Sequence, residues 1–190
     1  MYLRRTVGDT MNLQSIMKLY HVSQEPDIRE FIPRPAPAHF TRITAPVVFA
    51  ITDTMLHNYL MPRDCPRVTY YPSAMTTHDD YRKFFGETDA PRSRILLEER
   101  WRPALQETTL YLYEFSAESF ELLDDTAGYY ISNTSHIPQS VTVIEDCLSE
   151  LARRKVDLQF VENLWEIADA VAQSSLNYSI IRMRNALPRE

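Results

Sequence analysis

Glycine is nearly missing from this chain: 190 residues contain three, Gly8, Gly86 and Gly128, and no two are neighbours. Loops that cradle phosphates need several glycines so that the backbone can approach the ligand closely. Rossmann and Walker-type nucleotide sites are therefore excluded, and a nucleotide bound here would have to be held by side chains. Cysteine is scarcer still. Cys65 and Cys147 lie far apart, which gives neither a disulfide framework nor a CxxC metal knuckle and predicts two buried free thiols. Positive charge is in deficit, with 20 Lys and Arg against 26 Asp and Glu for a net charge of −6. A double-stranded nucleic acid is not an expected partner, because such binders neutralise phosphates with a basic surplus. Long apolar runs are missing too. Ala45-Pro46-Val47-Val48-Phe49-Ala50-Ile51 is far short of the ~20 residues that span a bilayer. No apolar stretch follows Arg4 and Arg5 as a secretory signal would require. No membrane association is expected, and a cytoplasmic protein is the simplest account.

Catalytic signatures are equally sparse. There is no GxSxG elbow and no Cys–His pairing at readable spacing, so nucleophilic hydrolysis has no support. His78-Asp79-Asp80 lacks the i, i+4 histidine spacing of a helical zinc site, and no metal is expected. The pairs Glu98-Glu99 and Asp124-Asp125 are adjacent residues that point apart on an extended chain, and the second is turn material.

What is present is an ordinary globular composition, 44% hydrophobic and 24% charged, enough for a real core. Residues 1–16 carry no strand-like alternation and are read as an N-terminal extension; 17–190 are read as a single α+β domain. Alternation and β-branched content predict strands at Lys18–Val22, Val47–Ile51, Arg67–Tyr71, Arg94–Glu98, Thr109–Phe115, Ser140–Ile144 and Val156–Val161. Ser119–Leu123 and Tyr129–Ser132 flank an Asp124–Gly128 turn as a hairpin would. Short helices are predicted after Thr52 or Asp53, over Thr76–Phe85 with Gly86 as its stop, and over Glu145–Arg154. Asn163 is read as the cap of a long C-terminal helix reaching about Ala186, with Trp165, Ala168, Val171, Ala172, Leu176 and Ile180 as its apolar stripe. Hairpin-like strands with helices at intervals and at the end favour α+β, with a split antiparallel sheet and peripheral helices.

The one segment that resembles a site is Lys18-Leu19-Tyr20-His21-Val22-Ser23, followed by Phe31-Ile32-Pro33-Arg34-Pro35. On a strand, His21 and Ser23 share a face and can jointly address a ligand hydroxyl or carbonyl. In the pairs Tyr70-Tyr71 and Tyr129-Tyr130, one ring of each points inward, where it can stack on a planar base or nicotinamide. Arg34, together with Arg63 and Arg67 in a proline-stiffened loop, carries the forked guanidinium groups that suit phosphate recognition.

These segments, with Asn58-Tyr59-Leu60-Met61-Pro62-Arg63-Asp64-Cys65-Pro66-Arg67-Val68, Leu112-Tyr113-Glu114-Phe115, Ala127-Gly128-Tyr129-Tyr130-Ile131-Ser132, Ser174-Ser175-Leu176 and Ile180-Ile181-Arg182-Met183-Arg184-Asn185, resemble an uncharacterised bacterial family, a domain of unknown function. More broadly, the Tyr20-His21 strand and the late Tyr130-Ile131-Ser132 strand, followed by Ile137-Pro138 and Val141–Ile144, look like the first and last motifs of the ADP-ribosyltransferase superfamily. That likeness implies an ADP-ribosyltransferase-like fold and an NAD-dependent transferase. His21 would hold a ribose hydroxyl, and an aromatic ring (Tyr70 or Tyr71) would stack on nicotinamide. His21, Tyr71 and Tyr130 are the candidate catalytic residues, and His21, Ser23, Arg34, Arg63 and Arg67 the candidate binding residues. The late-strand Glu or Gln of that superfamily has no counterpart among Gly128, Tyr129 and Tyr130. A non-catalytic nucleotide- or nucleobase-binding module is the alternative.

Overall fold

In the computed structural model, residues 17–37, 40–87, 93–125 and 127–189 are described; the expected 1–16 extension lies outside them. The chain forms two compact units interleaved in sequence, Met1–Leu56 with Leu110–Val143, and His57–Thr109 with Ile144–Glu190.

The first unit is built on a six-stranded antiparallel sheet. Its strands are β1 (Lys18–Ser23), β2 (Val48–Thr52), β5 (Leu110–Ser116), β6 (Glu121–Asp124), β7 (Tyr129–Ser132) and β8 (Ser140–Ile144), in the order β6-β7-β2-β1-β5-β8. The central strands alternate as half-buried strands must. Leu19, Val48, Ala50, Tyr113 and Phe115 face a core that Phe31, Ala117 and Phe120 complete. The predicted β6–β7 hairpin is present, closed around Gly128, whose positive φ of 63° suits the turn. The proline-rich segment is held extended by two bridges, Phe31 to His136 and Arg34 to Val47.

The second unit holds a four-stranded mixed sheet of β3 (Arg67–Tyr71), β4 (Ser93–Glu98), β9 (Val156–Val161) and β10 (Asn177–Ile181), in the order β10-β3-β4-β9, with only β4 and β9 parallel. Short helices accompany it: α1 (His78–Phe85), α2 (Arg102–Glu107), α3 (Cys147–Arg153) and α4 (Trp165–Ala172). Thr77 caps α1 by accepting the Asp80 N–H, and Gly86 ends it at a φ of 77°. Asp146 caps α3 through Ser149, and these bonds hold its carboxyl below the usual range. Val68, Tyr70, Phe84, Phe85, Leu96, Leu164, Ala168, Val171 and Leu176 form one core of this unit.

The expected long C-terminal helix does not exist. Asn163 does receive the Trp165 N–H at 2.9 Å, but α4 stops at Ala172 and the chain returns as β10. Two serines end the helix. The Ser174 hydroxyl donates to the Val171 carbonyl and accepts from the Leu176 N–H, a local alternative to helical bonding. Ser175 binds the Asp80 carboxylate through both N–H and hydroxyl. Beyond them Tyr178, Ile180 and Ile181 are strand formers, and β10 pairs with β3 over five positions. Leu176 and Ile180 are four apart, a spacing that serves a helix and a strand equally, so the apparent stripe was ambiguous. Trp165 sits at the edge of the packing, its indole N–H on the Leu187 carbonyl at 2.7 Å and its ring under Arg189. Among the described residues no helix is long and apolar enough to cross a membrane.

Candidate functional site

The centre of the six-stranded sheet carries an irregularity. β1 meets β2 only at Leu19–Thr52 and Tyr20–Ile51, although β1 pairs with β5 along its whole length. At the next position the ladder gives way to a side chain, with His21 Nδ1 3.0 Å from the Phe49 carbonyl oxygen. A carbonyl only accepts, so Nδ1 is the donor in this contact. The half-buried imidazole thus bridges two diverging central strands. Such a ring is oriented by the fold.

Alternation places Tyr130 on the same face. His21 opposes Tyr113, and Ala50 of β2 opposes Tyr130 of β7. With Ala50 as the small residue between them, His21 and Tyr130 are two strand spacings apart, on the order of 10 Å between backbones. The Phe31 ring lies against His21 at 4.9 Å and against Tyr113 and Phe115 at 5.0 and 5.1 Å. Tyr113, fully buried, donates its hydroxyl to the Glu25 carbonyl and accepts the Ile28 N–H. It pins the loop that leads from β1 to Phe31. Ser23 shares the His21 face as expected, with its hydroxyl accepting the Glu25 N–H.

His136 secures the other end of the Phe31 segment, exchanging both backbone bonds with Phe31 while its ring stacks on Phe120 at 4.3 Å. Burial pushes its pKa below the ordinary 6.5. As pH falls through ~6.5, the unfolded chain binds a proton that the folded ring resists, so stability declines there and is unaffected above. The melting temperature should fall between about pH 6.5 and 5, and His136→Phe should flatten that part of the profile. The carboxylates of Asp80, Glu99, Asp146 and Glu150 are held low by hydrogen bonds from Ser175, Arg102, Ser149 and Arg153 respectively. Their stabilisation is lost only below ~4.5 as they protonate, a separate window. Equal slopes for wild type and variant between pH 5 and 6.5 would remove His136 as the cause.

The remaining sequence candidates are dispersed. Arg34 is exposed beside Val47, in the first unit with His21, Ser23 and Tyr130. Arg63, Arg67 and Tyr71 belong to the second unit. Arg67 is buried, its Nη1 on the Cys65 carbonyl at 3.0 Å and its guanidinium over the Tyr59 ring. Arg63 is exposed and Tyr71 half-buried. Tyr70 is the inward ring of its pair, packed on Phe84 and Phe85. Both thiols are buried as predicted, and burial pushes Cys65 up to about 12 and Cys147 up to about 11; neither is a nucleophile at neutral pH. Among the described residues, no three His, Cys, Asp or Glu side chains converge as a metal site would need.

Two motif segments that sequence reasoning kept apart meet in the second unit. Asn185 donates its amide to the Asp64 carbonyl, and Arg100 reaches the Asn185 carbonyl. Fully buried Glu98 takes the Arg100 Nε and the Leu187 N–H. This web anchors the C-terminal tail to the Pro62–Pro66 loop. The quoted motifs are thus partly scaffold. Residues 20–186 match the family model described as a family of unknown function (DUF6886). The chain belongs to that family. The match takes in His21, Phe31, Tyr130 and Asn185, nearly the whole described fold. No curated protein and no solved structure matches the chain.

Proposed function

We propose that this DUF6886 protein binds NAD or a related nucleotide at His21 and transfers its ADP-ribosyl group. The observation that carries the reading is the bridged break between β1 and β2, where the contact of Nδ1 with the Phe49 carbonyl orients the imidazole. In this reading Nε2 accepts a ribose hydroxyl, Tyr130 on the same face stacks on the nicotinamide, and Arg34, exposed in the same unit, meets the diphosphate. Cleaving the glycosidic bond of NAD needs a pre-aligned environment for an oxocarbenium-like centre more than a strong nucleophile. A sparse site is adequate for that. The ADP-ribosyltransferase-like motifs of the first and late strands add a second support. Arg63, Arg67 and Tyr71 are not needed by this reading.

One observation favours a second reading. β7 reads Tyr129-Tyr130-Ile131-Ser132 and bears no acid, so the same residues would serve as a binding module without turnover. Incubating the protein with labelled NAD separates them. Nicotinamide release with transfer of label supports the transferase, and a thermal shift without product supports the module. His21→Ala should weaken binding in either case, by about tenfold for a hydrogen bond worth ~1.5 kcal/mol, and should abolish product if the protein is a transferase. Neither product nor thermal shift with NAD would overturn the proposal.

A further inference from the structure

β8 is one of the two edge strands of the six-stranded sheet. Among the described residues no strand pairs with its outer side, and the strand itself, Ser140–Ile144, carries neither the charge nor the proline that usually protects an edge. From Ile137 to Ile144 the sequence Ile-Pro-Gln-Ser-Val-Thr-Val-Ile holds no charge. Its apolar side chains face solvent, with Val141 47% and Val143 52% exposed. The Gln139 N–H goes to the Glu114 carbonyl of β5 at 2.8 Å. Antiparallel alternation then turns the Val141 and Val143 peptide groups toward β5 and those of Ser140 and Thr142 toward the open edge.

We infer that β8 pairs with β8 of a second copy of this chain, antiparallel and centred on Thr142, to make a two-fold dimer with a continuous sheet. The strand is self-complementary about that residue. Val141-Thr142-Val143 reads the same in both directions, so Thr142 opposes its own copy while Val141 and Val143 oppose each other on one face. Thr142 is also a residue whose N–H and C=O face outward, which is what a hydrogen-bonded pair on the two-fold axis requires. The charges agree with this register. Glu145 and Asp146, which follow the strand, fall opposite uncharged Gln139 and Pro138 of the copy, so two chains of net charge −6 meet where neither carries charge. Paired β-branched residues supply cross-strand contacts in addition to the backbone bonds.

Light scattering after size exclusion should give twice the 22.2 kDa chain mass. Thr142→Pro removes only an outward N–H and leaves the β5 ladder intact, so it should give a folded monomer by mass and circular dichroism. Val141→Lys should give the same result through edge charge. Thr142→Cys should form an intermolecular disulfide on mild oxidation, because hydrogen-bonded opposing residues stand ~5.5 Å apart, within disulfide reach. Ser140→Cys, displaced from the axis, should not. A wild-type monomer across the concentration range, a dimer that survives both Thr142→Pro and Val141→Lys, or equal crosslinking at 140 and 142 would each overturn the inference.

Discussion

Gly128→Ala should lower stability by about 2–5 kcal/mol, enough to unfold much of a marginally stable chain. Two costs add. The residue sits at a φ of 63°, a conformation that costs an L side chain about 1–2 kcal/mol. A Cβ there would lie 2.6 Å from Thr52 Oγ1 and 2.7 Å from Met55 Cγ. Forcing extra volume into a packed site costs about 1–3 kcal/mol more. The Gly128 carbonyl also accepts the Thr52 N–H, so a shift to relieve the clash would disturb the end of β2, the strand whose Phe49 carbonyl holds His21. Gly86 provides the comparison. It too has a positive φ, but a Cβ there would meet nothing within 4 Å, so Gly86→Ala reports backbone strain without the clash. Urea denaturation of both variants measures the difference. Equal midpoints for the two would show that the contacts around Gly128 relax at no cost and that only the turn conformation matters.

Legibility in the sequence followed the range of the forces involved. Strands with their own alternation, such as β1, β5 and β9, could be read along the chain, and so could α1 with its Gly86 stop, because those signals are local. The C-terminal helix was misread because Leu176 and Ile180 satisfy both periods. The choice was made by β3, some hundred residues earlier, through pairs such as Val68–Ile180, and by Asp80 holding Ser175. The candidate site behaved similarly. His21 and Ser23 on one face follows from alternation alone. That the β1–β2 ladder breaks beside His21, and that Phe49 supplies the carbonyl, depends on how far two antiparallel strands stay side by side, which no spacing encodes. The arginines show the opposite failure. Arg34, Arg63 and Arg67 look alike in sequence, yet burial assigns Arg67 to the interior wiring of the Cys65 loop and leaves the other two at the surface.

Phe31→Ala should cost about 3–5 kcal/mol, the usual range for removing a buried aromatic ring, and should loosen the candidate site at the same time. The ring is nearly buried and touches His21, Tyr113 and Phe115 within 5.1 Å. Its backbone exchanges two hydrogen bonds with His136, whose own ring is stacked on Phe120. These bonds survive the substitution, so the segment stays attached while the space over His21 opens. The imidazole then loses its apolar wall but keeps the Phe49 carbonyl. Two readouts separate the effects. The unfolding free energy should drop by the stated amount, whereas Phe31→Leu, which refills most of the volume, should recover most of it. If His21 binds a nucleotide through an oriented Nε2, the thermal shift produced by NAD should fall in Phe31→Ala and return in Phe31→Leu. A Phe31→Ala protein as stable as wild type would mean that the ring lies on the surface of its cluster rather than within it, and would remove Phe31 as the support that orients His21.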